Sequence, residues 1–429
     1  MSPTEQSAGV TPAQHTAEAV ARRSYGKLIA FLAARTRDVA GAEDALSEAF
    51  ATALQTWPAE GIPQTPEAWL LTVARRKMID AARRRRGQEA TAVQLSWLAE
   101  LADHGPDDAA IPDDRLALMF ACAHPAIDVN VRAPLMLQVI LGFDAATVAS
   151  AFLVAPATMG QRLVRAKSRI RQAGIPFQVP GRAELRDRLD AVLEAIYAAY
   201  AQGWSDPAGT DAQRRNLAEE AIWLGALVAS LLPGEPETLG LLALTLHAQA
   251  RRGARRDAQG RYVPLAEQDP ALWDAAMIDE AEMLLHRAAA LGVHGRYQLE
   301  AAIQSAHVVR RRSGRADWAA IQHLYDALHA LTGSPVVALN RAMADAEVHG
   351  AARGLAALDV LAGDARLAQY QPYWAARAGL LARSGDTAAA ATAYDIAIGL
   401  EADAAVREFL QQRRNGLSLG PGTAAADPR

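Results

Sequence analysis

Two segments of this chain concentrate basic side chains that could bind phosphate groups. The first, residues 65–86, begins with Thr65 and Pro66, which are typical of a helix start, and Trp69 and Leu70 open a helical apolar pattern. Such a helix can bind nucleic acid, because arginines contact phosphates and Trp69 can stack on an unpaired base. A solvated basic helix on an ordinary bundle is the alternative. The segment carries seven basic residues: Arg75, Arg76, Lys77, Arg83, Arg84, Arg85 and Arg86.

The second segment, residues 131–171, predicts two helices joined by a tight turn. A short helix from Asp144 is followed by a turn over 152–155 and by a longer helix that Pro156 opens. This arrangement is typical of a helix-turn-helix, whose second helix enters the major groove of DNA. In that second helix we expect inward packing by Leu163 and Val164, and DNA contacts by Thr158, Gln161, Arg162, Arg165, Lys167 and Arg169.

The charge of the chain has to be considered by region. The net charge is −4 at pH 7, which by itself does not indicate a DNA-binding protein. Residues 1–174 nevertheless carry 19 basic and 18 acidic residues, a net charge of +1, and residues 175–429 carry the remaining 25 and 30, a net charge of −5. Salt screens charges beyond about 8–10 Å, so DNA responds to local basic helices and not to the total charge.

Length and composition restrict the class of protein. The 429 residues are enough for two to four domains, and 51% of them are hydrophobic, which permits substantial cores. Cys122 is the single cysteine, so a reducing, cytoplasmic setting is expected. No apolar run is long enough to predict a membrane span, and residues 1–18 lack the features of a signal peptide. We expect those first residues to be a disordered lead-in.

No set of residues predicts catalysis by this chain. The ten histidines are scattered, and none recurs with a carboxylate or cysteine at metal-ligand spacing. Glycine-rich phosphate-binding loops are absent, and Cys122 is expected to be a small buried hydrophobe. We therefore expect no cofactor, no metal and no enzymatic activity. An unrecognised enzyme in the C-terminal half is the weakest of the interpretations that the sequence allows.

The fold is predicted to be all-α, because alternating β patterns are absent. Two small helical DNA-binding domains, the second a helix-turn-helix, are expected to precede a helical-repeat domain that resembles tetratricopeptide repeats. The predicted divisions are a lead-in over 1–18, a first domain over 19–86, an acidic linker over 87–110, a second domain over 111–174, a repeat extension over 181–414 and a disordered tail over 415–429.

The C-terminal extension carries two features of its own. Tyr373, Ala378, Ala390 and Tyr394 recur at the spacing of paired tetratricopeptide helices. Such an array can present a peptide-binding face, but it can also be purely structural. A basic loop over 250–257 is expected to form ion pairs with the nearby acids Glu267, Asp269 and Asp274.

The amino-acid sequences of both basic segments resemble those of RNA polymerase sigma factors of the extracytoplasmic-function type. The resemblance covers roughly residues 20–175 and includes AEDALSEAF, WLLTVARRKMIDAARRRR and FLVAPATMGQRLVRAK. The stretches GIPQTPEAWLLTVARRK, IPDDRLALMFACAHPAI and RQAGIPFQVP resemble one subgroup, whose members carry a long C-terminal extension with tetratricopeptide-like repeats.

This resemblance implies a role in transcription initiation, with core RNA polymerase and promoter DNA as partners and no membrane. In the family, the helix matching residues 65–86 melts and reads the minus-ten element, and the helix matching 156–171 reads the minus-thirty-five element. An anti-sigma factor is not implied. A helix-turn-helix transcription regulator with a helical sensor domain, which needs no polymerase, is the main alternative. Docking on the polymerase clamp is implied for the positions of Asp44, Leu46, Glu48 and Phe50.

Overall fold

The chain is helical in the regions that the structure describes. Within them the computed structural model contains nineteen α-helices and no strand, which confirms the predicted all-α class. None of these helices has the length and apolarity needed to cross a bilayer. The acidic linker predicted over 87–110 lies outside the described residues. Those residues are 12–36, 39–86, 113–173, 180–204 and 212–417.

Two compact units divide the chain between Gln202 and Gly203. The helices of the first unit are α1 (Pro12–Thr36), α2 (Val39–Glu60), α3 (Pro66–Arg86), α4 (Asp114–Cys122), α5 (Val129–Val139), α6 (Ala145–Ala151), α7 (Pro156–Ala173) and α8 (Leu185–Trp204), the last of which ends just past the division. Those of the second unit are α9 (Ala212–Leu231), α10 (Pro236–Ala250), α11 (Ala275–Ala290), α12 (Arg296–Val308), α13 (Arg310–Ser313), α14 (Trp318–Thr332), α15 (Pro335–His349), α16 (Ala351–Leu361), α17 (Gln371–Ser384), α18 (Thr387–Leu400) and α19 (Ala404–Gly416).

The first three helices pack on one another around an aliphatic core. Ile29 and Leu32 from α1, Leu46 from α2 and Leu70 from α3 are fully buried in it. Gly61 ends α2 with a φ of 89°, a conformation that glycine adopts without strain. The core therefore holds the basic helix α3 against α2. This packing positions the predicted DNA-binding surface of α3 and the predicted polymerase-docking surface of α2.

Helices α4 to α7 form the second part of the first unit. Aspartates cap three of them, since Asp113, Asp128 and Asp144 accept hydrogen bonds from backbone N–H groups at the starts of α4, α5 and α6. Phe120 and Met136 are among the fully buried side chains of this part. Cys122 is also fully buried, as predicted, and burial raises its pKa to about 12.

Helix α8 belongs to the first unit, although the sequence predicts an extension that begins at 181. The guanidinium of Arg188 donates a hydrogen bond of 3.2 Å to the carbonyl oxygen of Phe120 near the end of α4. That carbonyl is among the last four of its helix, which have no partner within the helix. Arg188 also pairs with Glu184 at 2.5 Å. The start of α8 is thus a C-terminal cap for α4.

The second unit is built from consecutive helices that pack mainly on their neighbours in the chain. At the predicted repeat positions, Tyr373 and Ala378 of α17 and Ala390 and Tyr394 of α18 are buried together with Ala397. The small side chains of Ala378, Ala390 and Ala397 allow the two helices to approach closely. The structure therefore contains helical pairs in the extension, and their likeness to tetratricopeptide repeats stays a prediction.

The arginines of the basic loop after α10 have partners other than the acids expected from the sequence. Arg252 and Arg255 donate to the carbonyl oxygens of Gly203 and Trp204, at 3.2 and 2.9 Å. Arg256 pairs with Asp403 at 2.5 Å, across 147 positions of the sequence. Arg256 therefore pairs with Asp403 at the start of α19, and not with the expected Glu267, Asp269 or Asp274.

Candidate nucleic-acid and polymerase interface

Helices α6 and α7 are joined by the short turn that the sequence predicts. The backbone N–H of Thr147 donates to the Asp144 carboxylate at 2.7 Å, and this bond holds the pKa of Asp144 below its usual value. Leu153 in the turn has a φ of 52°, in the left-handed region that favours glycine. Pro156 then starts α7, where its missing N–H leaves no hydrogen bond unmade. Only residues 152–155 therefore separate α6 from α7.

Helix α7 has one buried face and one exposed face. Met159 and Leu163 pack inward. The prediction that Val164 also packs inward is wrong, because this residue follows Leu163 by about 100° around the helix and is 68% exposed. The exposed face carries five of the predicted DNA contacts: Thr158, Gln161, Arg162, Arg165 and Arg169.

A cleft of about 330 Å³ lies beside the exposed face of α7. Arg162, Arg165 and Arg169 line it, together with Asp128 and Asn130 at the start of α5. Asp128 is engaged as the cap of α5, accepting from the Asn130 backbone N–H at 2.9 Å. Three guanidinium groups on one helix face form a local positive surface, which suits the phosphates of a DNA backbone.

Helix α3 carries the other predicted DNA contacts. Arg76 is exposed, whereas the guanidinium of Arg75 lies 5.0 Å from the centre of the Phe31 ring. Trp69 packs edge-on to Trp57, with ring centroids 5.5 Å apart. A change at Trp69 or Arg75 therefore alters packing within the domain as well as any contact with DNA. The side chains of two further predicted contacts, Arg83 and Arg84, lie outside the described residues.

Helix α2 carries the four positions that the resemblance assigns to polymerase docking. Asp44 and Glu48 are exposed, so their carboxylates can meet a partner. Leu46 is fully buried, and it supports the helix from the core without presenting its side chain on the surface. Phe50 is half-buried and stacks on Tyr25, with ring centroids 6.2 Å apart. Burial also raises the pKa of Tyr25 above its usual value.

Two ion pairs join α2 to the two predicted DNA-binding helices. Lys77 of α3 lies 3.2 Å from Glu48, and the two side chains are 40% and 59% exposed. Lys167 of α7 lies 2.8 and 2.6 Å from the two carboxylate oxygens of Glu43, and these side chains are only 24% and 20% exposed. Sequence reasoning missed the second pair, because its members lie 124 positions apart and no periodicity relates them.

Backbone packing brings the same parts of the first unit together. Gly26 of α1 lies so close to the end of α5 that a Cβ atom there would overlap the carbonyl oxygen of Ile140. The ring of Tyr25 lies beside Gly142, where an added Cβ would be 3.4 Å from the Cδ1 atom of Tyr25.

The described residues bring no three histidine, cysteine or acidic side chains together as a metal site.

Comparison with known proteins adds to this geometry. Residues 20–88, which include most of α1 and all of α2 and α3, match Sigma-70 region 2, and residues 188–289 match a family of unknown function, DUF6596. The chain is 39% identical over 394 residues to an uncharacterized protein, R00370, of Rhizobium meliloti (strain 1021), covering 90% of this chain and 92% of that relative. No solved structure matches the chain. The chain therefore belongs to one family with R00370, and its region 2 supports its place among the sigma-70 factors.

Proposed function

We propose that this chain is a dissociable subunit that binds core RNA polymerase and directs promoter recognition and opening in transcription initiation. The match of residues 20–88 to Sigma-70 region 2 carries the proposal. In this function α2 docks on core polymerase through the exposed Asp44 and Glu48. Helix α3 acts on the downstream promoter element, and the exposed face of α7 reads the upstream element.

Reconstituted transcription tests the proposal directly. The purified chain is added to core polymerase and a genomic promoter library, and RNA products are sequenced. We expect initiation from a defined promoter class that core polymerase alone does not use. Failure to bind core polymerase, combined with specific binding to duplex DNA, would instead favour a helix-turn-helix regulator with a helical sensor domain.

We expect the exposed residues of α7 to divide into reading and anchoring residues. Gln161 and Arg162 lie near the start of the helix, where side chains reach base edges, and Arg169 lies two turns further along. Gln161→Ala or Arg162→Ala should cost about 1–3 kcal/mol of binding at one base pair. Arg169→Ala should weaken all sequences alike and reduce the salt dependence. Binding to a library of upstream elements at two salt concentrations measures both effects, and a uniform loss for all three variants contradicts the division.

We expect α3 to contribute to strand separation more than to initial binding. Arg76→Gln removes an exposed charge without a packing change, and Trp69→Phe retains an aromatic ring against Trp57. Arg76→Gln should open the promoter more slowly, as measured by permanganate reactivity of unpaired thymines, and Trp69→Phe should slow opening to a smaller extent because the phenyl ring offers less area for stacking on a base. A premelted bubble should restore both variants. Arg186→Gln, at an exposed arginine of α8, is the matched control and should open DNA normally. If a premelted bubble did not restore these variants, the prediction that α3 contributes to strand separation would be wrong.

The C-terminal extension is proposed to modulate this activity. Residues 175–429 have an acidic net charge, which favours a modulating role over a role in DNA binding. The two DNA-binding domains do not need a repeat array to recognise DNA. The helical pairs of the array offer a surface for polymerase or another protein. We therefore expect transcription to change severalfold when the second unit is removed at the division after Gln202. Unchanged transcription would assign the extension to an unrelated binding task.

A further inference from the structure

The loop between α10 and α11 carries a short hairpin, residues 256–262, which we call the strap. Arg256 and Tyr262 form an antiparallel β-bridge at its base. At its turn the Asp257 carboxylate accepts a hydrogen bond of 2.9 Å from the backbone N–H of Arg261. The strap contacts α19, although the two segments lie about 147 positions apart. In an array of stacked helical pairs each pair contacts its neighbours, so this contact is an addition to the array.

Two neighbouring side chains of the strap contact α19. A guanidinium nitrogen of Arg256 lies 2.5 Å from the Asp403 carboxylate, and these side chains are 11% and 23% exposed. The Tyr262 ring packs edge-on to the Phe409 ring, with centroids 5.4 Å apart. Residues opposite each other in an antiparallel pair place their side chains next to one another. The strap therefore presents an arginine beside an aromatic ring, and α19 receives them with a carboxylate and a second ring.

The strap and α19 are each held by contacts other than the one between them. Leu410 of α19 is buried in a hydrophobic cluster with Tyr394 of α18. Just beyond the strap, the carbonyl oxygens of Leu265 and Ala266 accept hydrogen bonds of 2.8 and 2.9 Å from the Arg310 guanidinium. Release of the strap from α19 thus leaves both segments anchored, and it uncovers the carboxylate and the ring of α19.

We propose that the strap-facing side of α19 is a docking site for a protein hairpin or strand that presents an arginine beside an aromatic ring. The strap is a segment of this chemistry already seated on the site, and a partner segment takes its place. Asp403 is fixed in position for a partner, because its other carboxylate oxygen caps α19 by accepting from the backbone N–H groups of Ala405 and Val406 at 2.9 and 3.2 Å. The strap lowers the affinity for a partner by the fraction of molecules in which it is released.

Binding of a peptide to the full chain tests the docking site. The probe is a fluorescently labelled, head-to-tail cyclised peptide with the sequence of residues 255–263, and the control peptide has alanine in place of its arginine and tyrosine at positions 256 and 262. In the full chain, Arg256→Ala combined with Tyr262→Ala removes the competing side chains. We expect this double variant to bind the probe about tenfold more tightly than wild type, because the strap competes in wild type. Arg256→Ala alone should give a smaller gain, and no chain should bind the control peptide.

Changes on α19 show whether the probe occupies the proposed site. Phe409→Ala added to the double variant should abolish probe binding. Asp403→Asn added to it should weaken binding severalfold while α19 stays capped, because asparagine caps a helix as well as aspartate does. Circular dichroism verifies that each variant folds. Equal probe binding by wild type and the double variant, or binding that survives Phe409→Ala, overturns the proposal. Absent transcription by wild type would instead contradict the proposed function, on which these binding measurements do not depend.

Discussion

Replacing Gly26 by alanine should lower the stability of the first unit by about 1–3 kcal/mol, the usual cost of inserting a methyl group into a packed contact. The new Cβ would overlap the carbonyl oxygen of Ile140, which is backbone and cannot turn aside as the end of a side chain can. Helix α1 and the end of α5 would have to move apart. Thermal unfolding followed by circular dichroism measures the loss.

Gly160→Ala is the matched control for this substitution. Gly160 also lies inside a helix of the same unit, and nothing is within 4 Å of a Cβ placed there. Alanine should raise stability at this position by about 0.5–1 kcal/mol, because glycine is the weaker helix former. Gly26→Ala has the same intrinsic gain, so the difference between the two variants isolates the clash. If Gly26→Ala matched Gly160→Ala, the close packing of α1 on α5 would be contradicted.

Ending the chain after Pro180 should destabilise the DNA-binding unit much more than ending it after Gln202. The shorter chain lacks α8, whose Arg188 caps α4. Leu185, Leu189 and Val192 lie on the same face of α8 as Arg188, and all three are buried. Burial of one such side chain contributes about 1.5–3 kcal/mol, so loss of the face removes several kcal/mol. Urea denaturation of the two truncated proteins compares their midpoints.

Two further chains make this comparison specific. Arg188→Ala in the chain that ends at Gln202 should lose about 1–3 kcal/mol, because the Phe120 carbonyl is left buried without its donor. A chain that ends at Leu417 removes only a Gly- and Pro-containing tail without apolar periodicity, and it should unfold like the full chain. Equal stability of the chains ending at Pro180 and Gln202 would show that α8 is dispensable for the unit.

Much of the architecture is local in origin and could therefore be predicted from the sequence. The helix predicted from Asp144 is present, with Asp144 as its cap, and Pro156 starts α7 as predicted. The apolar spacing in α7 correctly placed Leu163 in the core but misplaced its neighbour Val164. The all-α class follows from such signals, since caps and helical periods depend on residues within a few positions of each other.

Contacts between distant parts of the chain were decided only by the tertiary structure. The pairing of Lys167 with Glu43, the close approach of Gly26 to Ile140 and the capping of α4 by Arg188 join residues that no local pattern relates. The sequence by itself determined the helices, their caps and the two basic segments, because helical periodicity is written in neighbouring residues. The pairing of a lysine with a particular carboxylate depends on how the helices pack against each other. That packing is set by contacts throughout the unit and not by neighbouring residues.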